Sequence, residues 1–249
     1  MGMQQASSYR RQSITKNGLI FFFLILLSLT VIFPFLWMVS ASLKNLNEVY
    51  SYPIQWFPSV FAWGNYAKVL EADFFRYLLN SLKVTLLTAS FQLVFSSLSG
   101  YSFAKLRFPG RNALFMIYVA TMMIPAQVLL IPQFFIIKRL GLFNSHWALI
   151  LLGSFSAFSV FFMRQYFLTM PQEIIESARI DGCSEFRIFL RLAMPLALPA
   201  VATMSVLIIM GTWNDLLNPL IYLMDTQKAT IPLGLMRFST DKGTHMNYV

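Results

Sequence analysis

The sequence predicts an all-α membrane protein, a polytopic helical bundle. Three observations carry that prediction. Of the 249 residues, 57% are hydrophobic and only 12% are charged, against roughly a quarter charged in a soluble domain. The apolar runs are unbroken over helix length, where a soluble core of this size alternates polar and apolar positions. The charges collect in the short segments between those runs. The 25 phenylalanines suit lipid-facing surface. A net charge of +9 raises the question of nucleic acid. The basic residues fall at the edges of apolar runs, where lipid headgroups sit, and form no basic stripe on a soluble face. Membrane lipid is therefore the expected partner of that charge, and nucleic acid is not. A lone cysteine, Cys183, cannot form an internal disulfide and leaves the redox compartment open.

About 20 apolar residues cross the hydrocarbon core as a helix, and five segments qualify. The first covers about residues 19–40, behind Arg10, Arg11 and Lys16. It is too long for a signal peptide and lacks a small-x-small cleavage site, so it is read as retained. The second, about 78–103, carries Ser96, Ser97, Ser99 and Gly100. Small residues let helices approach closely, which places this span inside the bundle. The third, about 113–137, contains Pro125 and Pro132, and the fourth covers about 147–167. The fifth starts near Leu192, contains Pro195 and Pro199, and ends near Leu217. Each proline removes a backbone hydrogen bond and kinks the chain. Such kinks serve either as gates or as static packing features, and the sequence leaves both open.

The connections are unequal. Residues 44–77 form a long polar-aromatic loop with Pro53, Trp56, Pro58 and Trp63, 105–112 a short basic one, 138–146 a short one, and 169–191 a longer charged one. The tail after Asn218 is polar and holds no further span. With the N-terminus cytoplasmic, ten basic residues fall on the inner side and nine on the outer. Long loops count weakly in the positive-inside rule. Dropping them tips the balance inward, so an N-terminus on the cytoplasmic side is expected.

The segment 169–195 holds the clearest local pattern. Thr169 and Gln172 have capping-box spacing, and Pro171 is tolerated in a first helical turn. Glu173 and Glu176 lie toward a helix N-terminus, which favours anions. Ile174, Ile175 and Ala178 share a face, and Arg179 closes the turn. Gly182, free to take positive φ, stops the helix. Ser184 can cap a second helix, whose Phe186, Phe189 and Leu190 make an apolar stripe toward the bilayer, with Arg187 and Arg191 on the polar side. The expected product is a helix, a glycine corner and a second helix along the membrane surface. It is stiff enough to dock into a cleft of a partner, though periodicity alone is also satisfied by an ordinary interfacial loop.

This segment resembles the EAA loop of ABC importer permeases, whose pattern is Glu-Ala-Ala, three residues, Gly, nine residues, Ile-x-Leu-Pro. Here Glu176-Ser177-Ala178, Gly182 and Leu192-Ala193-Met194-Pro195 keep that spacing, with Ser177, Leu192 and Met194 as departures. Ala178-Arg179-Ile180-Asp181-Gly182 is similar to the carbohydrate-uptake (maltose-type) branch of the binding-protein-dependent transport inner-membrane component family. So are Phe108-Pro109-Gly110-Arg111, Trp213 to Leu220, and Ile231 to Leu235. The resemblance implies a permease subunit forming half of the translocation pathway for a sugar or oligosaccharide in the cell (inner) membrane. It implies three kinds of partner: a second homologous permease subunit, two copies of a cytoplasmic ATP-binding subunit and an extracytoplasmic solute-binding protein. The EAA loop would then be cytoplasmic, with Glu173, Glu176, Ser177, Ala178, Asp181 and Gly182 at the ATPase contact. The implied division is a cytoplasmic segment 1–17, a transmembrane permease domain 18–217 containing the loop 169–195, and an extracytoplasmic loop 218–249. The family pattern also expects a sixth span and a short tail after that loop. The sequence as it stands lacks both, which fits either a truncated product or a fragment.

Enzymatic chemistry finds no foothold. There is no Gly-x-x-x-x-Gly-Lys phosphate loop, no His-Glu-x-x-His, no Gly-x-Ser-x-Gly, and only His146 and His245 as histidines. No cofactor or metal is expected, and ATP is hydrolysed elsewhere. Trp213 and Asn214 at the end of the fifth span, beside Asp215, can stack on and hydrogen-bond a sugar. They serve equally as an interface anchor and a helix cap. Gln127, costly in lipid unless bonded, lines the pathway or bonds a neighbouring helix. Arg164 is expected to snorkel to headgroups. An ATPase-independent channel or secondary transporter would want charged residues mid-span, which are almost absent. A membrane scaffold is the remaining alternative.

Overall fold

The computed structural model describes residues 2–71 and 73–241, with side chains over 17–70 and 73–236. His245, the chain from residue 242 and the side chains of Arg10, Arg11 and Lys16 lie outside the described residues. All regular structure among the described residues is helical. Three helices are long and apolar enough to cross a membrane: Asn17–Ser42, Phe74–Lys105 and His146–Thr169. Two bent pairs, counted as one span each, bring the number to five. The described residues are thus all-α, with three to five candidate spans. It divides into two compact units, Met1–Ala72 with Phe238–Val249, and Asp73–Arg237.

In the first unit, α1 (Gly2–Ser42) is followed by α2 (Leu46–Val49) and α3 (Gly64–Glu71). The aromatic loop folds back on the end of α1. Trp56 packs against Phe33 and Trp37, with ring centroids 5.5 and 5.4 Å apart. Lys44 is buried beneath it. Its Nζ donates to the Gln55 carbonyl at 2.5 Å and lies 4.4 Å from the Trp37 ring centroid. Burial pushes the Lys44 ammonium below its ordinary pKa, with Glu48 opposing. Asn65 Nδ2 donates to the Ser42 and Lys44 carbonyls, which closes the loop. The segment expected as a polar-aromatic loop is therefore a folded cap.

The second unit is built around α4 (Phe74–Lys105). Its Ser81, Thr85, Thr88, Gln92, Ser96, Ser97 and Gly100 are buried, which makes it the interior helix that its small residues predict. Next come α5 (Arg111–Ala120), α6 (Ala126–Arg139), α7 (His146–Gly153) and α8 (Ala157–Thr169). The third span is not one straight helix: Arg111–Met123 and Ala126–Arg139 meet at 102°. Pro125 excludes helical geometry at Ile124, whose ψ is 117°. Pro132 lies inside α6 without ending it.

After α9 (Gln172–Ile180) the chain forms α10 (Glu185–Ile188), a π turn (Phe189–Ala193), α11 (Met194–Leu196) and α12 (Leu198–Trp213). The helical run that leads into the fifth span thus starts at Glu185 and bends by 77° between Leu196 and Leu198. Pro199 has no N–H for the carbonyl four residues back, so the helix breaks at Ala197. Beyond it lie α13 (Leu217–Tyr222), a 3-10 turn (Thr226–Lys228) and α14 (Ile231–Asp241). The tail read as a polar loop is in fact largely helical. Tyr222, Leu223, Ala229 and Leu233 are buried, and Asn80 Nδ2 donates to the Gln227 and Ala229 carbonyls at 2.9 Å.

Arg164 is half-buried. Its Nε donates to the Phe103 carbonyl at 3.3 Å and its guanidinium lies 4.0 Å from the Phe115 ring centroid. A carbonyl and an aromatic face within reach give the cation partners within the protein.

Candidate functional site

The helix–corner–helix of residues 169–195 forms as the sequence predicts, with some details changed. α9 ends in a Schellman arrangement. Gly182 N donates to the Arg179 carbonyl and Cys183 N to the Ala178 carbonyl, both at 3.0 Å. Gly182 has φ +78°, a left-handed conformation that costs L-residues roughly 1–2 kcal/mol. The capping box at Thr169 does not form. α8 continues through Thr169, whose hydroxyl donates back to the Tyr166 carbonyl, and Pro171 occupies the N-cap position of α9. Gln172 instead donates to Glu176 Oε1 at 3.3 Å. Ser184 is at the N-cap position of α10 but its side chain makes no capping bond.

The second correction concerns Phe189. It was expected on a bilayer-facing stripe with Phe186 and Leu190, but it is only 5% exposed. Phe189 instead faces inward, against Tyr101 at 5.2 Å and Phe167 at 6.5 Å between centroids. Such aromatic pairs contribute about 0.5–1.5 kcal/mol beyond area burial. Ile175, Ile188, Phe189, Ala193 and Ala197 join Tyr101, Ala104, Met163, Phe167 and Met204 in one buried apolar cluster. The loop is therefore rooted in the bundle, not laid on its surface. Of the apolar face Ile174, Ile175 and Ala178, only Ile175 is fully buried.

Polar contacts tie the loop to the end of α4, and sequence reasoning missed them. Lys105 is 5% exposed, and its Nζ donates to the Met170 carbonyl at 2.8 Å. Arg179 Nε donates to Glu185 Oε1 at 2.5 Å, and Arg179 Nη2 to the Lys105 carbonyl at 3.4 Å. Tyr101 Oη donates to Glu185 Oε2 at 3.4 Å. The bond to Glu185 pushes the Arg179 guanidinium above its ordinary pKa. A signal was present: Arg179 and Glu185 lie three residues either side of Gly182, so a corner at Gly182 brings them together.

Two predictions arise here. Lys105→Met leaves the Met170 carbonyl unpaired, a cost of about 1–3 kcal/mol. Amide exchange over residues 175–180, whose N–H groups bond within α9, should accelerate by about an order of magnitude, read by hydrogen exchange; unchanged exchange would remove Lys105 as a clamp. The Arg179–Glu185 pair is a third or more exposed on both sides, so solvent screening holds its coupling to roughly 0.2–1 kcal/mol. A double-mutant cycle of Arg179→Ala and Glu185→Ala, followed by thermal unfolding, should return a coupling of that size.

What the loop leaves outside is equally specific. Glu173, Glu176, Ser177, Asp181 and Gly182 are exposed, Ala178 is half-buried, and Ile180 is 86% exposed. The exposed surface is thus an acidic rim with Ile180 protruding from it.

A second feature is a cleft of about 240 Å³. Thr88 of α4, Gln127 and Gln133 of α6, Asp215, Asn218 and Thr230 line it. Asp215 Oδ1 accepts from Asn218 N at 3.2 Å and Oδ2 from Asn218 Nδ2 at 2.7 Å. Gln127 thus lies on a cleft wall. Trp213 and Asn214 do not line it: Trp213 is half-buried, and Asn214 Nδ2 donates to the Met210 carbonyl at the end of α12. Sequence reasoning missed Gln133 and Asn218, which are brought to the cleft by the bend before α6 and by α13.

Residues 92–247 match the family described as binding-protein-dependent transport system inner membrane component. The arabinooligosaccharides transport system permease protein AraQ of Bacillus subtilis is 35% identical over 94% of this chain and 84% of its own length. The polygalacturonan/rhamnogalacturonan transport system permease protein YtcP of the same organism is 34% identical over 87% of this chain and 76% of its own. The sn-glycerol-3-phosphate transport system permease protein UgpE of Pectobacterium atrosepticum is 34% identical over 89% of this chain and 82% of its own. The crystal structure of a bacterial ABC transporter involved in the import of the acidic polysaccharide alginate contains a chain with the same fold. Its TM-score is 0.80 at 24% identity, over 97% of this chain and 89% of that one. The family is one of transport components, not enzymes, and its members work with an ATPase and a solute-binding protein. This multi-pass membrane chain belongs to the binding-protein-dependent transport system inner membrane components, as a permease of the ABC importer kind.

Proposed function

We propose that this permease forms half of a sugar or oligosaccharide pathway and is driven by a separate ATPase through the loop around Gly182. The observation that carries the proposal is the way the loop is built. Its outer surface offers Glu173, Glu176, Asp181 and Ile180 to a partner, while Ile175, Ile188 and Phe189 root it in the bundle core. A force applied at Ile180 reaches α4 through Lys105, and the α12 side through the buried cluster that Phe189 shares with Ala197 and Met204. A loop lying loose on the surface would dissipate that displacement.

In this reading two ATPase subunits dock on the loops of two homologous permeases. Closure of the ATPases brings the loops together and switches access across the membrane. The N-terminal segment 1–17 and the α9 loop are on the cytoplasmic side, where ATP is. A solute-binding protein delivers cargo to the opposite face, to which the chain from residue 218 contributes. Gln127 is assigned to the solute pathway because it lines the cleft. Trp213 and Asn214 do not line the cleft, and their place in the pathway is proposed only for its stretch outside it. Sugar as cargo is supported by relatives whose names specify arabinooligosaccharides and diacetylchitobiose.

Affinity capture of the tagged chain from solubilised native membranes tests the assembly. An ATP-binding subunit and a second permease should co-purify in stoichiometric amounts. Recovery of the chain with neither would point to a scaffold or a free-standing channel.

A further inference from the structure

The names of the relatives include neutral and acidic cargoes alike, so likeness does not choose between them. The cleft beside Gln127 does. Its polar side chains are the amides of Gln127, Gln133 and Asn218, the Asp215 carboxylate and the hydroxyls of Thr88, Thr212 and Thr230. None of the residues lining it is lysine, arginine or histidine. Thr88 and Thr230 are 1% and 5% exposed, and both hydroxyls lack a hydrogen-bond partner. A helical threonine ordinarily donates to its own helix four residues back, as Thr203 does to Pro199. Thr88 does not, so this buried group is available to something added from the cleft.

We propose that this cleft contacts the transported solute, and that the solute it takes is neutral and rich in hydroxyls. The inference rests on the permease reading above. An amide both donates and accepts, and so matches a hydroxyl, which does the same. Each oxygen of Asp215 accepts one bond from Asn218, and a carboxylate has about four lone-pair positions, so capacity remains for sugar hydroxyls. A carboxylate or phosphate on the solute would need a cation or converging N–H groups. It would instead meet the negative Asp215 in a region of low dielectric, where repulsion is poorly screened. Val84 and Leu149 on the same walls suit the C–H face of a sugar ring. At about 240 Å³ the cleft is smaller than the roughly 300–1,000 Å³ of most ligand pockets. That fits one ring of a longer chain, the rest lying against the partner permease.

Saturation-transfer NMR on the co-purified permease complex in nanodiscs reads such weak contact without ATP hydrolysis. The probes are arabinotriose, maltotriose and diacetylchitobiose against trigalacturonate and sn-glycerol 3-phosphate. At least one neutral probe should receive roughly five times the saturation of either acidic one, the factor expected from one or two hydrogen bonds. Gln127→Ala with Gln133→Ala should cut that signal at least about threefold, with an unchanged elution profile as the check on folding. The milder Asp215→Asn should raise the acidic signal relative to the neutral one. Stronger transfer to an acidic probe, transfer to none, or a neutral signal that the double variant leaves intact each overturns the assignment. Failure here is separable from failure of the coupling proposal. Gly182→Val should abolish uptake yet leave the NMR signal in place.

Discussion

Gly182→Val stops ATP-driven uptake while the protein still inserts and accumulates in the membrane. Nothing lies within 4 Å of a Cβ added at Gly182, so steric room is not the obstacle. The obstacle is φ of +78°, which costs an ordinary L-residue roughly 1–2 kcal/mol and a β-branched residue more. The chain can relieve that strain by leaving the left-handed region. It then loses the two bonds to the Arg179 and Ala178 carbonyls and redirects α10 relative to α9. Every contact that ties the loop to α4 and to the Phe189 cluster depends on that direction. Uptake should therefore fall at least about tenfold, since 1.4 kcal/mol is a factor of ten. Gly182→Asn should retain a larger share, because asparagine enters the left-handed region more readily. Vesicle uptake of labelled solute, normalised to the amount of assembled transporter, is the measurement. Equal uptake by valine and wild type would remove the corner from the mechanism.

Gly100→Leu fails at an earlier stage: the bundle does not assemble to normal yield. A Cβ at Gly100 would come within 2.8 Å of Met163 Cβ and 2.9 Å of the Arg164 backbone nitrogen. These are contacts between α4 and α8, and backbone atoms cannot turn aside as a side-chain tip can. Overpacking costs typically 1–3 kcal/mol, and here the upper end applies. Gly100→Ala should already lower the midpoint of thermal unfolding, and Gly100→Leu should lower the yield of monodisperse protein as well. Gly211→Ala is the control. Gly211 has nothing within 4 Å of a Cβ and lies in α12, so alanine should be neutral or stabilise by about 0.5–1 kcal/mol. If all three variants behave alike, close approach at Gly100 is not what holds α4 to α8.

Much of the fold is legible in the sequence because a bilayer imposes length and apolarity on every span. The interior position of α4 follows from Ser96, Ser97 and Gly100, which only a close neighbour can use. The corner at Gly182 follows from the one residue type that takes positive φ without strain. The bends are less legible. Pro125 and Pro199 announce a break, but the angles of 102° and 77° arise from packing with other helices. Hydropathy also hides the helical run that leads into the fifth span, since Glu185, Arg187 and Arg191 are charged residues inside it. Phe189 misleads for a related reason. Its spacing from Phe186 and Leu190 suggests one shared outward stripe, but it sits at the stripe's edge beside buried Ile188, and the rings of Tyr101 and Phe167 receive it. The tail past Asn218 reads as polar because Asp225, Gln227 and Lys228 are conspicuous, yet Tyr222, Ala229 and Leu233 are buried around them.

The docking surface was legible as a pattern of residues, and its anchoring was not. Lys105 reads as one more basic residue at a membrane edge. Only the fold shows it buried with its ammonium on the Met170 carbonyl. The cleft is harder still, because Gln127, Asp215 and Thr88 are far apart in sequence and come together through a bend, a helix end and a close helix contact.

Photocrosslinking from position 180 tests the central claim most directly. A benzophenone amino acid in place of Ile180, which is 86% exposed, should form an adduct with an ATP-binding subunit in native membranes, identified by mass spectrometry. The adduct should change in yield with bound nucleotide and disappear when Gly182→Val is added. Adducts only to lipid, or to no ATP-binding protein while uptake continues, would contradict a loop driven by a docked ATPase.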